Sequence, residues 1–389
     1  MVRGLMAGMA LALALTGTAA AHGGHGKRTD CPKESGELRC AEAATPAFAP
    51  DGGLWLAWAA GGRVWAARSA DNGRSFAAPV DLSGKPGRVD AEGDARPVIV
   101  LDGQGSPVVA WTVRRDPQHG VAVLVARGGP DGTFTPAAPL ATGNASEVAL
   151  TRTNDGRLAA AWIEVRKEGE GRFSGSLKAA WSQAGGFGPA LTVGGRSCEC
   201  CRVALAPDGD DAAIAWRAVF EDGARDHALA RLDKHGATAP RRIADDGWKI
   251  DACPHHGPSL ALSGGTRHVV WFTDGARRQG LFYARAEGEG AFGAPMPLGA
   301  PDRQAGHGQV LALGDSVWLA WKEFDGERTR IFGRRSSDGG RSFAPPAELA
   351  SSGDASDHPI LVSDGKRAYL SWLTRAEGYR LLPLDGGPS

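Results

Sequence analysis

Three tyrosines, four methionines and six cysteines are all that a chain of 389 residues carries of those types. Net charge is missing as well: 44 basic side chains meet 44 acidic ones. A balanced chain has no electrostatic reason to seek nucleic acid or an anionic membrane surface, so nothing here suggests those partners. Beyond the N-terminus no segment approaches the roughly 18 uninterrupted apolar residues of a membrane-spanning helix. Long helix-forming runs are absent too. What the chain has in excess is glycine, 56 residues, alongside 12 tryptophans. That turn-rich, aromatic composition points to many short strands.

The first residues read "MVRGLMAGMALALALTGTAAAHGGHG". Arg3, the apolar run from Leu5 to Leu15 and the A-x-A site at Ala19-Ala20-Ala21 make residues 1–21 a cleavable signal peptide. A bacterial periplasmic or secreted location follows. In an exported chain an even cysteine count favours disulfides, and Cys31 with Cys40 is the expected pair near the new terminus.

Self-similarity then fixes the architecture. Seven segments share an apolar strand, a Gly/Asp turn and a second apolar strand closed by tryptophan, as in "RPVIVLDGQGSPVVAW" and "CRVALAPDGDDAAIAW". The closing residues are Trp58, Trp111, Trp162, Trp216, Trp271, Trp321 and Trp372, spaced 50 to 55 apart. The first six are followed by two further strands, which gives an all-β propeller of four-stranded blades over residues 44–389. Seven blades are counted; six stays open because terminal repeats of closed folds are irregular. Residues 22–43 form an N-terminal tail. Within it, 36–43 are expected to add the outermost strand of the last blade and close the ring.

Two stretches, "SADNGRSF" from Ser69 and "SSDGGRSF" from Ser336, match S-x-D-x-G-x-x-[WF] at the turn between third and fourth strands. Asp71 and Asp338 can accept backbone N–H bonds there, Gly73 and Gly340 permit positive φ, and Phe76 and Phe343 plug the blade. These turns resemble the Asp boxes of sialidase-like (BNR-repeat) propellers. A working sialidase would imply an arginine triad, a Tyr nucleophile with a Glu partner, and an Asp acid/base. Here the Arg-Ile/Leu-Pro motif of that family is reduced to "ARPV", and Tyr379, with Glu377 and Arg380 nearby, is the one tyrosine suited to the role. Catalysis on another glycan would fall to Glu164, Glu323 or Asp325, which follow closing tryptophans.

In a propeller the loop entering each first strand lies at one end of the central channel. Those loops read "EGDARP", "GNASE", "CECCR", "DACPHHGP", "QAGHGQ" and "ASDHP". They gather Cys198, Cys200, Cys201, Cys253, His255, His256, His307 and His358 at one mouth, with Asp94, Arg96 and Asp357 on the same rim. Thiolate and imidazole donors so placed suit copper first and zinc second. Cys200, Cys201, Cys253 and His256 are the expected main ligands, and the others support or orient them. His22 and His25 on the tail add a second, cupric chelating group. The leading expectation is thus a non-enzymatic metal-binding propeller that handles copper, with a periplasmic protein as a conceivable partner. Three alternatives stand beside it: a glycan-cleaving or glycan-binding propeller on the same rim, a redox-active Cys198-x-x-Cys201 dithiol, and an interaction scaffold whose cysteines only staple loops.

Overall fold

The computed structural model describes residues 31–384 apart from 33–34, 85–86, 93, 115–120, 130, 142, 170–171 and 253. The expected signal peptide, His22, His25 and Cys253 therefore lie outside the described residues. Seven antiparallel sheets follow one another along the chain, with two short 3-10 turns, Leu38–Cys40 and Pro301–Arg303. No helix among the described residues is long and apolar enough to cross a membrane.

The first strands of the seven blades are Ala43–Phe48, Val98–Leu101, Ala145–Arg152, Ala204–Asp208, Ser259–Ser263, Gly306–Leu313 and Ile360–Ser363. Each touches the first strand of the next blade, and the last touches the first, so they ring a central axis. The closing tryptophans explain the period. Each packs into the apolar layer between its own blade and the preceding one: Trp111 between blades one and two, Trp216 between three and four, Trp372 between six and seven. Trp58 does the same between blades seven and one, against Leu373. All seven are at most 4% exposed. Each such indole removes on the order of 200 Å² from water, worth on the order of 5 kcal/mol before entropy. The sequence period is the period of these wedges.

Two blades depart from the simple pattern in ways that matter at the mouth. In blade two the innermost edge is split: Arg88–Val89 and Val98–Leu101 both pair with Pro107–Arg114, and the described residues between them, 90–92 and 94–97, lie outside the sheet. Blade seven has three strands among the described residues, Ile360–Ser363, Ala368–Thr374 and Gly378–Pro383.

The strand expected from 36–43 does not form. The Cys31–Cys40 disulfide does form, and it holds Cα atoms nine residues apart at 5.8 Å. Extended chain of that length would separate them by about 30 Å, so the segment must turn back on itself. Gly36 lies under the Trp65 indole, where a Cβ would sit 2.7 Å from the ring, and its carbonyl accepts the Trp58 Nε1–H at 3.0 Å. Among the described residues no strand is shared between blades seven and one, which meet through side chains such as Trp58 against Leu373.

Both S-x-D-x-G-x-x-F turns adopt one geometry. The Ser75 N–H and hydroxyl donate to Asp71 at 2.9 and 2.6 Å, and Ser342 does the same to Asp338 at 2.9 and 2.5 Å. Gly73 and Gly340 have φ of 80° and 76°, a region open to glycine at little cost. Phe76 and Phe343 pack into the adjoining apolar layers.

Candidate functional site at the channel mouth

The loop 90–97 crosses the mouth. Asp94 belongs to blade two, yet its Oδ2 accepts the Gly257 N–H of blade five at 2.7 Å. Its Oδ1 lies 3.0 Å from His307 Nδ1 of blade six. Two residues on, Arg96 grips Asp357 of blade seven through two N–H bonds of 2.7 and 3.2 Å and donates to the Ala44 carbonyl of blade one. Asp357 also accepts the Ala44 and His358 N–H groups at 3.0 and 2.6 Å. One short loop thus fastens blades one, five, six and seven.

Rings stack along the mouth from blade five to blade seven. His256 lies 4.4 Å from Phe272 and 4.5 Å from His307, centroid to centroid. His307 and His358 are stacked at 3.4 Å, with 10° between their planes. The backbone makes room for this row. A Cβ on Gly306 would come within 2.9 Å of His256 Cε1, and one on Gly257 within 2.3 Å of the Arg202 carbonyl oxygen. Glycine is therefore required where the loops of blades four, five and six touch.

Strain gathers here too. Glu147, His255 and His307 have φ near 50°, which non-glycine residues seldom adopt. Glu147 and His307 each sit in a bulge of a first strand, in blades three and six. Such bulges re-aim a side chain next to a site.

Burial sets the protonation states. It pushes His307 and His358 below the usual imidazole range, and His358 is lowered further by His307 and Lys322. Both rings are thereby neutral near pH 7. Asp94 is held well below the carboxylate range: burial alone would raise it, but Arg202 and His307 outweigh that. Glu147 is pushed up to about 8 by burial and then by Asp94 and Asp90. Lys322 is pushed down to about 8 by burial, against the pull of Asp357.

The residues singled out in the sequence part company here. Asp94, His307 and His358 each bring a ligand atom within 4.8 Å of the others, and His256 adjoins them in the stack. Cys198 and Cys201 are joined in a disulfide, which removes both sulfurs from a thiolate ligand set in this state. Cys200 Sγ lies 3.7 Å from Cys198 Sγ. His255 is partly exposed on its loop.

The Tyr379 hydroxyl takes a hydrogen bond from Ser371, and its ring packs edge-on against Phe76. Glu377 is engaged by Thr374 and Arg380, so the Tyr–Glu pair of a sialidase nucleophile is not formed. Glu164 pairs with Arg166, Asp325 with Arg330, and Glu323 accepts from Trp321 and the Ala300 N–H. Each of the three carboxylates thus has a polar partner.

Sequence reasoning passed over Lys322, Glu147, Arg202 and Arg217. Arg217 is 1% exposed and donates to the carbonyls of Arg225, His256 and Phe272, each at 2.9 Å. Arg202 donates to the carbonyls of Pro258, Gly257 and Gly308 and lies 3.8 Å from Asp94. A signal did exist for two of them. The residue after a closing tryptophan stands at the mouth, and it is Arg217 in blade four and Lys322 in blade six.

Fold and site together define a seven-bladed β-propeller with a polar, histidine-lined mouth bridged by a loop from one blade. No protein-family model matches the sequence, and no curated protein matches it either. Solved structures do resemble it. An ulvan lyase from a new polysaccharide lyase family aligns with a TM-score of 0.55 at 10% identity, over 87% of this chain and 92% of its own. The polysaccharide lyase Uly1 aligns at 0.54 and 9% identity, over 85% and 86%. A Trypanosoma rangeli sialidase aligns at 0.45 and 9% identity, over 75% and 54%. At these identities the likeness establishes the propeller fold alone.

Proposed function

We propose that this chain is an exported metal-binding propeller that holds a divalent first-row ion on Asp94, His307 and His358. The observation that carries the reading is the convergence of their ligand atoms within 4.8 Å. Donors bonded to one ion at 2.0–2.2 Å stand about 3–4 Å apart, so little movement is needed to close on it. Neutral imidazoles and an ionised carboxylate are the forms that bind a metal. Two imidazoles and a carboxylate suit Cu(II) and Zn(II), and copper binds such a set more tightly. Export is supported by the N-terminal residues and by cysteines paired in disulfides. The Cys198–Cys201 bond then stiffens the loop entering blade four, and copper bound to these thiolates is not part of the proposal.

Metal titration of oxidised, chelator-stripped protein tests this. One ion per chain is expected, with His307→Gln and His358→Gln each weakening it more than about a hundredfold. Cys198→Ser with Cys201→Ser should leave the affinity unchanged. Unchanged binding in both histidine variants, or loss on removing the disulfide, would overturn the assignment.

A glycan-directed role is the second reading, favoured by the two lyase likenesses above a TM-score of 0.5. Screening against charged and neutral polysaccharides, with and without metal, separates the two.

A further inference from the structure

Lys322 is the charged group at the mouth whose bonding capacity is least used. Arg202 spends its N–H groups on three carbonyls and faces Asp94. Arg96 is taken up by Asp357 and the Ala44 carbonyl. Arg114 is paired with Asp90 through bonds of 2.9 and 3.1 Å. The Lys322 ammonium has three donors. Among the described residues it makes one hydrogen bond, 3.2 Å to the Ser356 carbonyl.

The charges do not close either. Arg202 offsets Asp94 and Arg96 offsets Asp357, which leaves over the charges of Lys322 and of Arg217, whose bonds go to carbonyls. A divalent ion on Asp94, His307 and His358 would add two more positive charges to a largely buried space. Charge of one sign is costly away from water unless it is paired. Lys322 and Arg202 are partly exposed, so this side of the mouth is open to a ligand from solvent.

We infer that the open side of the metal site binds a carboxylate, shared between the ion and the Lys322 ammonium. This rests on the metal reading above. A free organic acid and a uronic acid residue of a glycan present the same group, and Lys322 recognises that group rather than the rest of the molecule. Neutral sugars have nothing to offset the excess charge and are excluded.

Cobalt(II) serves as the probe, because its visible bands report changes in ligation. Co(II)-loaded protein is titrated with acetate, D-glucuronate, a uronate trisaccharide and, as the neutral control, D-glucose. All three carboxylates should shift the bands and saturate, and glucose should not. A trisaccharide that binds more tightly than the monomer marks a glycan as the source; equal affinities mark a free acid. Lys322→Met should weaken carboxylate binding by at least about tenfold with Co(II) affinity undiminished, and Lys322→Arg should retain part of it. Bands blind to every carboxylate, or a folded Lys322→Met or Lys322→Gln that binds them as well as the parent, would sink the inference while the metal reading stands. Failure to bind Co(II) at all would remove the metal reading and this inference with it.

Discussion

At one end of the ring the chain bonds to itself over short distances: Asp71 and Asp338 accept hydrogen bonds from Ser75 and Ser342, four residues on. At the other end Asp94 accepts from Gly257, 163 residues away, and faces His307, 213 away. Asp357 is bonded to Arg96 at a separation of 261 and to Ala44 at 313. Both ends use carboxylates that accept N–H bonds. They differ in what a single change disturbs: a turn in one case, several blades at once in the other.

That contrast can be broken by mutation. Asp357→Ala should cost most, about 3–5 kcal/mol, because it strands the buried Arg96 guanidinium and two backbone N–H groups; chemical denaturation reads it. Glu147→Gln acts through pH. Between its unfolded value of 4.5 and its folded value of about 8, the native chain keeps a proton that the unfolded chain has released. Stability therefore falls as pH rises through that window, by about 1.4 kcal/mol per unit, and Glu147→Gln should flatten the slope in metal-free protein. Asp338→Ala should cost least and leave metal titration untouched. If it destabilised as much as Asp357→Ala, the distinction between local and ring-spanning carboxylates would fail.

The same contrast governs what could be read from the sequence. The tryptophan wedges recur at every blade, so their period declares the fold, and the Asp71 and Asp338 turns are complete within eight residues. His256, His307, His358, Asp94 and Arg96 were legible as belonging to one mouth, since blade register places them there. Their partners were not. Nothing local shows that residues 90–97 leave a split strand and cross to blades five, six and seven. The tail differs from the expected strand: residues 38–40 form a 3-10 turn beside the Cys31–Cys40 bond. Cysteine spacing likewise left both a disulfide and a metal open at Cys198 and Cys201, and the pairing seen in the fold is the disulfide.

The crossing loop also imposes an order of assembly. Arg96 is made early, but Asp357 leaves the ribosome 261 residues later, on the order of tens of seconds at usual synthesis rates. Until then the first blades form an open arc whose guanidinium has no counter-charge and stays in water. Docking of Arg96 is therefore a late event, possible only when the seventh blade has arrived, and a chain halted before it would lack that contact even with Asp94 held by blades five and six.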